Sequence, residues 1–448
     1  MPPADPSAPP VSLDPAQLAA IDAQLASTDA FLAATYPGET GRRQPVHTVY
    51  VPADRYSADL PRRWGDEAIA AVRDIGGIEA LCELLGLSGE LTEQVGPRVL
   101  AKLEREPIED LRVDFEDGYG DHGDAAEDAQ VVRAAAELRR ARAEGTATPF
   151  AGIRFKCLEA STRRRGLRTL DAFVTAMTDA AMTDAAMTDA ARATLPQSLV
   201  LTLPKVSTVS QVEAMVSACE GLEAALGLAP GRIGFEIQVE TPQLILGSDG
   251  RIPVVAALHA GRGRVTSLHY GTYDYSASLG VSAAYQSMEH PVADQAKALM
   301  QLAVAGTGVQ LSDGSTNVLP VGDRDQVVAA WRLHHRLVTR SLTGAIYQGW
   351  DMHPGHLPTR FIATYAFYRG GFPRAAARLH AYVHKAGGAV MDEPATARAL
   401  ARYLHRGYVC GALDDAELLT ATGVTAQRLE LLARPKSDTE HVLSDTNL

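Results

Sequence analysis

The stretch GFEIQVETPQLIL, residues 234–246, decides which fold the chain can adopt. Apolar and polar residues alternate from Phe235 to Glu240, so a β-strand here would have one apolar face and one face that carries the carboxylates of Glu236 and Glu240. On a surface strand those acids would lie in water. In a buried parallel sheet they need a different role, and the flanking sequence favours such a sheet.

Short apolar runs of the same kind recur along the chain and alternate with Ala-, Leu- and Arg-rich helical patterns. The runs are VHTVYV at 46, LRVDFE at 111, AGIRFK at 151, SLVLTLP at 198, IGFEIQVE at 233, VTSLHYG at 265, GVQLS at 308 and GAIYQGW at 344. Eight such units over about 300 residues predict an α/β fold, a parallel (β/α)8 TIM barrel, with an open doubly wound sheet as the alternative. No G-x-G-x-x-G follows the first run, which weakens the dinucleotide-binding form of that alternative.

In a barrel, alternate residues of each strand point into the interior. Glu236, Gln238 and Glu240 are therefore predicted to face inward, and the apolar residues between them to face the surrounding helices. Glu240 comes last and would lie nearest to the mouth at the carboxyl ends of the strands, where the active sites of such barrels form.

We predict three segments. The barrel occupies residues 45–358, between an N-terminal helical extension, 1–44, and a C-terminal helical segment, 359–448, that acts as a lid or an oligomerisation element. Asp14 and Pro15 form an N-cap and first-turn pair that predicts the start of a helix in the extension.

A tandem repeat interrupts the barrel pattern: AMTDAAMTDAAMTDA, residues 176–190, copies a five-residue unit three times. A period of five fits neither a helix nor a strand, so we interpret the repeat as a solvated extension of an outer helix without chemistry.

Composition restricts the classes of partner. The 448 residues include 54 acidic and 42 basic side chains, and the net charge of -12 argues against a nucleic-acid partner. Four widely spaced cysteines do not form a disulfide framework or a zinc site. The first residues lack the pattern of a secretory signal, and no apolar run reaches the roughly 18 residues of a membrane span. A cytoplasmic protein without a membrane partner is expected.

Charged residues follow several of the predicted strands. Glu116 and Asp117 end the run LRVDFEDGYG, and Arg154 lies in GIRFK. Several acids at one mouth repel one another unless a cation lies among them, and Mg²⁺ takes oxygen ligands such as carboxylates. Glu240, with Asp274 in HYGTYDYSASLG, would suit that cation. The alternatives are an ion-paired or capping role for Glu240 and helix N-capping by Asp274.

A family resemblance becomes specific at these residues. Residues 46–357 resemble the citrate lyase β-subunit and HpcH/HpaI aldolase family, a branch of the pyruvate and phosphoenolpyruvate barrel superfamily that is also similar to malate synthase. The resemblance rests on seven motifs in the family's order: VYVPADR, VDFEDGYG, GIRFK, LPKV, VETP, GTYDYSASLG and MHP. The chain departs from the family at GIRFK, where relatives have Arg followed by Asn-Pro, and in the long interval SDGRIPVVAALHAGRGR.

The resemblance implies roles for particular residues. Glu240 and Asp274 would ligate Mg²⁺ or Mn²⁺, and Arg154 would hold a carboxylate or enolate oxygen of the substrate. The carboxylates of Glu116 and Asp117 would hydrogen-bond the waters of the metal. The implied activity is that of a Mg²⁺-dependent carbon–carbon lyase or aldolase, acting through a stabilised enolate of a small 2-oxo acid or an acyl-CoA. A homo-oligomer, a trimer or hexamer, is also implied.

Other residues have open interpretations. Arg55 would bind an anionic group of the substrate or is an exposed charge. Lys205 would contact the substrate, form an ion pair or form a Schiff base, and His353 would contact the substrate or form a structural turn. His269 is interpreted as a core histidine, with a catalytic base as the alternative.

The general base is not assigned by the sequence. Asp414 or Asp415 would serve if the C-terminal segment covers the site of a neighbouring subunit, and helix N-capping explains LDDAELL equally well. His334 and His335 lie in a helical run and are predicted to face outward. Three alternative functions stay open: condensation with glyoxylate as in malate synthase, phosphoryl transfer on an enolpyruvate, and a non-catalytic barrel that binds a metabolite.

Overall fold

The centre of the molecule is a sheet of eight parallel strands in the order β7-β6-β5-β4-β3-β2-β1-β8, in a computed structural model that describes residues 12–39, 41–182, 195–384 and 393–434. The strands are β1 (His47–Pro52), β2 (Asp110–Asp114), β3 (Phe150–Arg154), β4 (Leu199–Leu203), β5 (Phe235–Val239), β6 (Val265–Tyr270), β7 (Gln310–Ser312) and β8 (Gly349–Asp351). The predicted (β/α)8 barrel is confirmed.

The barrel closes between β7 and β8 through few contacts. A single parallel bridge joins Ser312 to Gln348. The amide of Asp313 donates to the carbonyl of Gln348 at 2.9 Å, and the amide of Trp350 donates to the carbonyl of Gly314 at 3.1 Å. We call this junction the seam of the barrel. Fewer backbone pairings join its two strands than join the other neighbouring strands.

Each of the eight apolar runs contains a strand, but the eighth strand begins later than its run. The run GAIYQGW starts at residue 344, whereas β8 starts at Gly349. The preceding helix continues to Thr343, and the chain then turns through Ala345, whose φ of 62° lies in the left-handed region. The turn uses the residues that the apolar pattern had assigned to the strand.

Helices connect and surround the strands. They are α1 (Pro15–Thr35), α2 (Leu60–Asp74), α3 (Ile78–Leu84), α4 (Gly89–Arg105), α5 (Asp124–Ala143), α6 (Arg163–Met182), α7 (Val209–Leu226), α8 (Pro242–Ile245), α9 (Pro253–Ala260), α10 (Thr272–Ser278), α11 (Pro291–Val304), α12 (Arg324–Thr343), α13 (Leu357–Val383), α14 (Pro394–Val409), α15 (Asp415–Thr422) and α16 (Ala426–Ala433). Within the described ranges, every helix is too short or too polar to span a lipid bilayer. Residues 183–190 of the tandem repeat lie outside the described residues, so its interpretation stays a prediction.

The N-terminal helix α1 projects from the barrel. Asp14 caps it as predicted: its carboxylate accepts from the amide of Gln17 at 2.8 Å, and a reciprocal bond completes a capping box. No residue of α1 is buried, although the helix carries large apolar side chains. Those that are at least 42% exposed are Leu18, Ile21, Leu25, Phe31 and Leu32.

The C-terminal helices pack at the amino-terminal end of the barrel. Arg406 of α14 donates to Gln44, just before β1, at 3.2 Å, and Gln44 donates to the carbonyl of Leu311 in β7 at 3.0 Å. Within one chain these helices therefore lie opposite the mouth and do not cover it. A lid over the mouth of a neighbouring subunit stays a prediction.

The barrel interior carries buried charges at its centre. Glu236 faces inward as predicted, and Arg112 donates to it at 2.7 Å and to Asp110 at 3.0 Å. His269 lies 3.1 Å from Glu236, and all four side chains are at most 2% exposed. Burial alone would raise the pKa of Glu236, but Arg112 and His269 hold that pKa below its ordinary value. The core interpretation of His269 agrees with this environment.

Replacing Arg112 with Leu is expected to lower the free energy of unfolding by about 3–5 kcal/mol, because it leaves two carboxylates buried without their cation. The matched control is Arg336→Leu, which breaks a half-exposed pair with Glu289 and should cost less than about 1 kcal/mol. Urea unfolding compares the two variants. Equal losses would contradict a special role for the buried network.

Candidate functional site

Charged side chains converge at the mouth of the barrel, where β2 to β6 end. They are Asp114, Glu116, Asp117, Arg154, Lys205, Glu240 and Asp274. The set includes all of the predicted metal ligands and catalytic residues, together with Lys205 from the predicted substrate contacts. Parallel strands bring them together because all carboxyl ends meet at one rim.

Arg154 is held by a carboxylate that the sequence analysis did not single out. Asp114, at the end of β2, accepts from Arg154 Nε at 2.7 Å and Nη2 at 2.6 Å. The amide of Gly118 donates to the same carboxylate at 2.9 Å, and a Cβ at Gly118 would meet it at 2.5 Å, so glycine lets the loop fold over this pair. Asp114 lies on the inward face of LRVDFE, two residues after Arg112, which is the signal that could have identified it.

Two aromatic side chains line the interior below Arg154. The ring of Tyr50 lies 4.9 Å from the guanidinium carbon, a cation–π distance, and 4.4 Å from the ring of Trp350. Neither residue was predicted as part of the site. Both occupy inward positions, on β1 and β8, where alternation alone does not distinguish a wall of the site from core packing.

Lys205 places its ammonium among the acids. Its Nζ lies 2.5 Å from Glu116, 2.5 Å from Asp117 and 3.8 Å from Asp274. Burial lowers its pKa, but the neighbouring carboxylates outweigh burial and the pKa is raised above its ordinary value. A Schiff-base lysine needs a lowered pKa, so the ion-pair interpretation fits this geometry better.

Backbone strain accompanies this position. Lys205 has φ of 51°, in the left-handed region that non-glycine residues seldom adopt. In this conformation its amide donates to Glu240 at 3.1 Å while its side chain reaches the acids. One residue therefore contacts both parts of the cluster.

Within the described residues, Glu240 forms no direct ion pair. It is 3% exposed, and burial together with Glu116 and Asp274 raises its pKa to about 8 despite Arg154 and Lys205. A Cβ at Gly271 would lie 2.3 Å from Glu240 Cγ, so only glycine at the end of β6 leaves room for this side chain.

The donor set fits a hard divalent cation. Five carboxylates face two cations at the mouth: Arg154 pairs with Asp114 and, at 3.3 Å, with Glu116, and Lys205 lies near Glu116, Asp117 and Asp274. Mg²⁺ and Mn²⁺ take oxygen ligands, and one or two carboxylates with water suffice for Mg²⁺. The raised pKa of Glu240 marks an unmet demand for positive charge, so the predicted ligands Glu240 and Asp274 agree with such an ion.

Two predicted substrate contacts stand apart from the cluster. Arg55 is exposed in the short 3-10 helix that follows β1. His353 follows β8, is half-buried and accepts from the amide of Gly355 at 3.0 Å, as a turn-forming cap. Burial lowers the pKa of His353. The turn interpretation explains this geometry, and substrate contacts by Arg55 and His353 stay predictions.

Asp414 does not reach the mouth of its own chain. It caps α15, where it accepts from the amide of Glu417 at 2.9 Å, and it pairs with Arg98 at 3.1 Å. The capping interpretation therefore fits. No general base is assigned within one chain by the residues that the structure describes.

The prediction that His334 faces outward is wrong. His334 is 1% exposed behind β8, where its Nε2 lies 3.0 Å from Asp351 and its ring stacks on His356 at 4.3 Å. Helix α12 packs this face against α13, which an isolated helical pattern does not reveal. His335 is partly buried.

His334, Asp351 and His356 form the one group of three potential metal ligands found among the described residues, with ligand atoms within 4.8 Å of one another. Arg360 already donates to Asp351 at 2.9 Å, and His47 lies 2.6 Å from the other oxygen. The carboxylate is therefore satisfied, and we interpret this group as a structural network.

A family model described as a domain of unknown function, DUF6986, matches residues 25–437. The comparison with curated proteins returned no match for the chain.

Solved structures show the fold. A citrate lyase from Burkholderia xenovorans LB400 is 17% identical with a TM-score of 0.52, covering 85% of this chain and 96% of that one. Malate synthase from Haloferax volcanii, in a magnesium and glyoxylate complex, is 13% identical with a TM-score of 0.44 (71% and 75% covered). An HpcH/HpaI aldolase/citrate lyase family protein from Burkholderia cenocepacia J2315 is 15% identical with a TM-score of 0.35 (70% and 90% covered). The expected resemblance is confirmed in the fold, and a shared fold does not fix an activity.

The raised pKa of Glu240 predicts a specific pH dependence of stability. Between about pH 4.5 and 8 the unfolded chain loses a proton that the folded chain keeps, so without divalent cations the free energy of unfolding should fall as pH rises. The slope from this group is about 1.4 kcal/mol per pH unit inside that window. Glu240→Gln should remove it. Urea unfolding with chelator at several pH values tests this, and identical pH profiles for the two proteins would contradict it.

Proposed function

This chain belongs to the DUF6986 family, and we propose that it is a carbon–carbon lyase or aldolase that depends on Mg²⁺ or Mn²⁺. The observation that carries the proposal is the buried carboxyl of Glu240, which lies with Asp274 and Arg154 at the mouth of a parallel barrel. The substrate class is a small 2-oxo acid or an acyl-CoA, and the reaction forms an enolate while a carbon–carbon bond breaks.

Arg154 stabilises the oxygen on which negative charge develops. Asp114 engages two of the five N–H groups of the guanidinium and fixes its plane. Glu116 lies 3.3 Å from Nη1, so the N–H groups that neither acid engages keep one orientation toward the substrate. A donor that is already positioned needs no rearrangement when charge develops, and removing one donor of this kind costs roughly 3–4 kcal/mol of barrier.

Glu116 and Asp117 act through Lys205. Their carboxylates hold its ammonium at 2.5 Å each, at the edge of the site. Glu240 and Asp274 would hold the divalent cation, which when bound supplies further positive charge toward the substrate oxygen. The carboxylates of Glu116 and Asp117 would then face the water around it.

The substrate would lie between the charged rim and an aromatic wall. Tyr50 and Trp350 exclude water from one side, which strengthens the interactions of Arg154. Arg55 and His353, on the loops after β1 and β8, are proposed to contact the far, anionic end of the substrate. The long segment between β5 and β6 is available for specificity.

Proton exchange tests this proposal without a guess about the second substrate. With Mg²⁺ in D₂O, the methyl protons of pyruvate or of acetyl-CoA should exchange for deuterium, as followed by NMR. Glu240→Gln should slow exchange at least about 10²-fold, because it removes a carboxylate proposed to hold the divalent cation. Glu220→Gln, at a position 48% exposed on α7, is the matched control and should leave the rate unchanged.

The donor that exchanges decides between the oxo-acid and the thioester branches of the proposal. If neither donor exchanges, even with glyoxylate present, the lyase reading fails. Phosphoryl transfer or metabolite binding would then be the better account.

We also propose that subunits associate through α1. A helix of 21 residues without a buried side chain gains little from its own chain, whereas most helical stability in proteins comes from packing of an apolar face. Its apolar side chains form a surface that a second copy of the same helix can cover.

Removal of residues 1–35 should reduce the assembly to a smaller species. The molar mass, measured by light scattering after size-exclusion chromatography, checks this against the full chain. Gln24→Ala, a polar substitution on the same helix, serves as the control and should keep the mass. An unchanged mass after truncation would contradict the role of α1.

A further inference from the structure

A cavity of about 440 Å³ lies at the amino-terminal end of the barrel, opposite the mouth. We call it the floor cavity. Its walls are the segment before β1 (residues 41–46), the end of α11 with the approach to β7 (residues 301–311), Tyr347 and α14. The proposed function uses none of these residues.

Positive charge is concentrated in this cavity. Four arginines line it, Arg42, Arg43, Arg402 and Arg406, and Glu39 is the one acidic residue among its described lining residues. Arg43 is already paired with Glu106 at 2.5 Å and with Glu109 at 2.9 Å, two acids outside the lining, so the proposal rests on Arg402 and Arg406. The chain as a whole carries a net charge of -12, so this concentration runs against its composition. Guanidinium groups that converge on a cavity favour an anionic ligand.

Glu39 does not neutralise the charges of both Arg402 and Arg406. Arg402 Nε and Arg406 Nη2 lie 3.1 Å and 2.9 Å from the same oxygen of Glu39. Two guanidinium groups thus share one carboxylate oxygen. Arg406 is also fixed in place, because its guanidinium stacks on Tyr347 at 4.1 Å and donates to Gln44 at 3.2 Å.

The pairing of Arg402 with Glu39 is incomplete. Arg402 Nε lies 3.1 Å from Glu39, but the N–H direction does not make a hydrogen bond, and the side chain is 37% exposed. A charged donor that is close to an acceptor without bonding to it gains from a second acceptor, and an anion can approach Arg402 from the cavity.

We propose that the floor cavity binds a small phosphorylated metabolite, with the phosphate on Arg402 and Arg406. Forked guanidinium groups match phosphate oxygens, and the volume lies in the range of pockets for small metabolites. Tyr347 and Tyr368 line the cavity and offer aromatic surface to the rest of the ligand. The site is remote from the mouth, so this proposal is independent of the proposed function.

Calorimetric titration of the full chain tests the site, with 5′-AMP and inorganic pyrophosphate as probes at constant ionic strength. The double variant Arg402→Ala/Arg406→Ala should bind each probe at least about tenfold more weakly. The matched control is Arg336→Ala/Arg340→Ala, which removes two arginines from exposed pairs on α12 and should bind as the wild type does.

Glu39→Gln separates the proposal from a folding defect. It removes the competing carboxylate at nearly constant shape and should tighten phosphate binding several-fold, a gain that misfolding does not produce. The proposal is overturned if the wild type binds neither probe at millimolar concentration, or if the Arg402/Arg406 variant binds as the wild type does. Tighter binding of citrate than of either phosphate would also overturn the assignment.

Discussion

The interior of this barrel has to balance its charges without water. Arg112 lies between Asp110 and Glu236 at the centre, and each carboxylate comes from a different strand, β2 or β5. Each ion is too costly to bury alone, so the strands that carry them must keep their register. The same rule holds one layer higher, where Asp114 of β2 fixes Arg154 of β3. The position of the charged rim depends on this pairing below it.

At the mouth of the barrel, the positive side chains do not balance the negative ones. Acids outnumber bases there, Lys205 adopts a strained backbone to place its ammonium among them, and burial raises the pKa of Glu240. A structural network would be satisfied, as the one around Asp351 is, where Arg360, His47 and His334 share one carboxylate. Unsatisfied charge on a rigid rim indicates a site that is completed by what it binds.

The count of eight strand and helix units predicted the barrel, with a doubly wound sheet as the alternative, and period-two alternation predicted the inward face of β5. The alternation placed Glu240 correctly because a strand leaves its side chains only two directions. Asp114 was missed although it obeys the same alternation and lies in the motif VDFEDGYG. The family resemblance assigned roles only to the two carboxylates that follow it. His334 was misplaced since its partner, Asp351, is brought to it by tertiary packing alone. The place of the C-terminal helices, likewise, depends on contacts such as Arg406 with Gln44 that no local pattern encodes.

The thin seam between β7 and β8 has a consequence for motion. Each strand there is three residues long, and few backbone bonds cross between them, so amide hydrogens at this junction should exchange sooner than those of β2 to β5. The floor cavity touches both sides of it, at Gln310 and at Tyr347. A ligand bound there would contact both sides of this junction and oppose its local opening. The rim above Trp350 would then become more rigid.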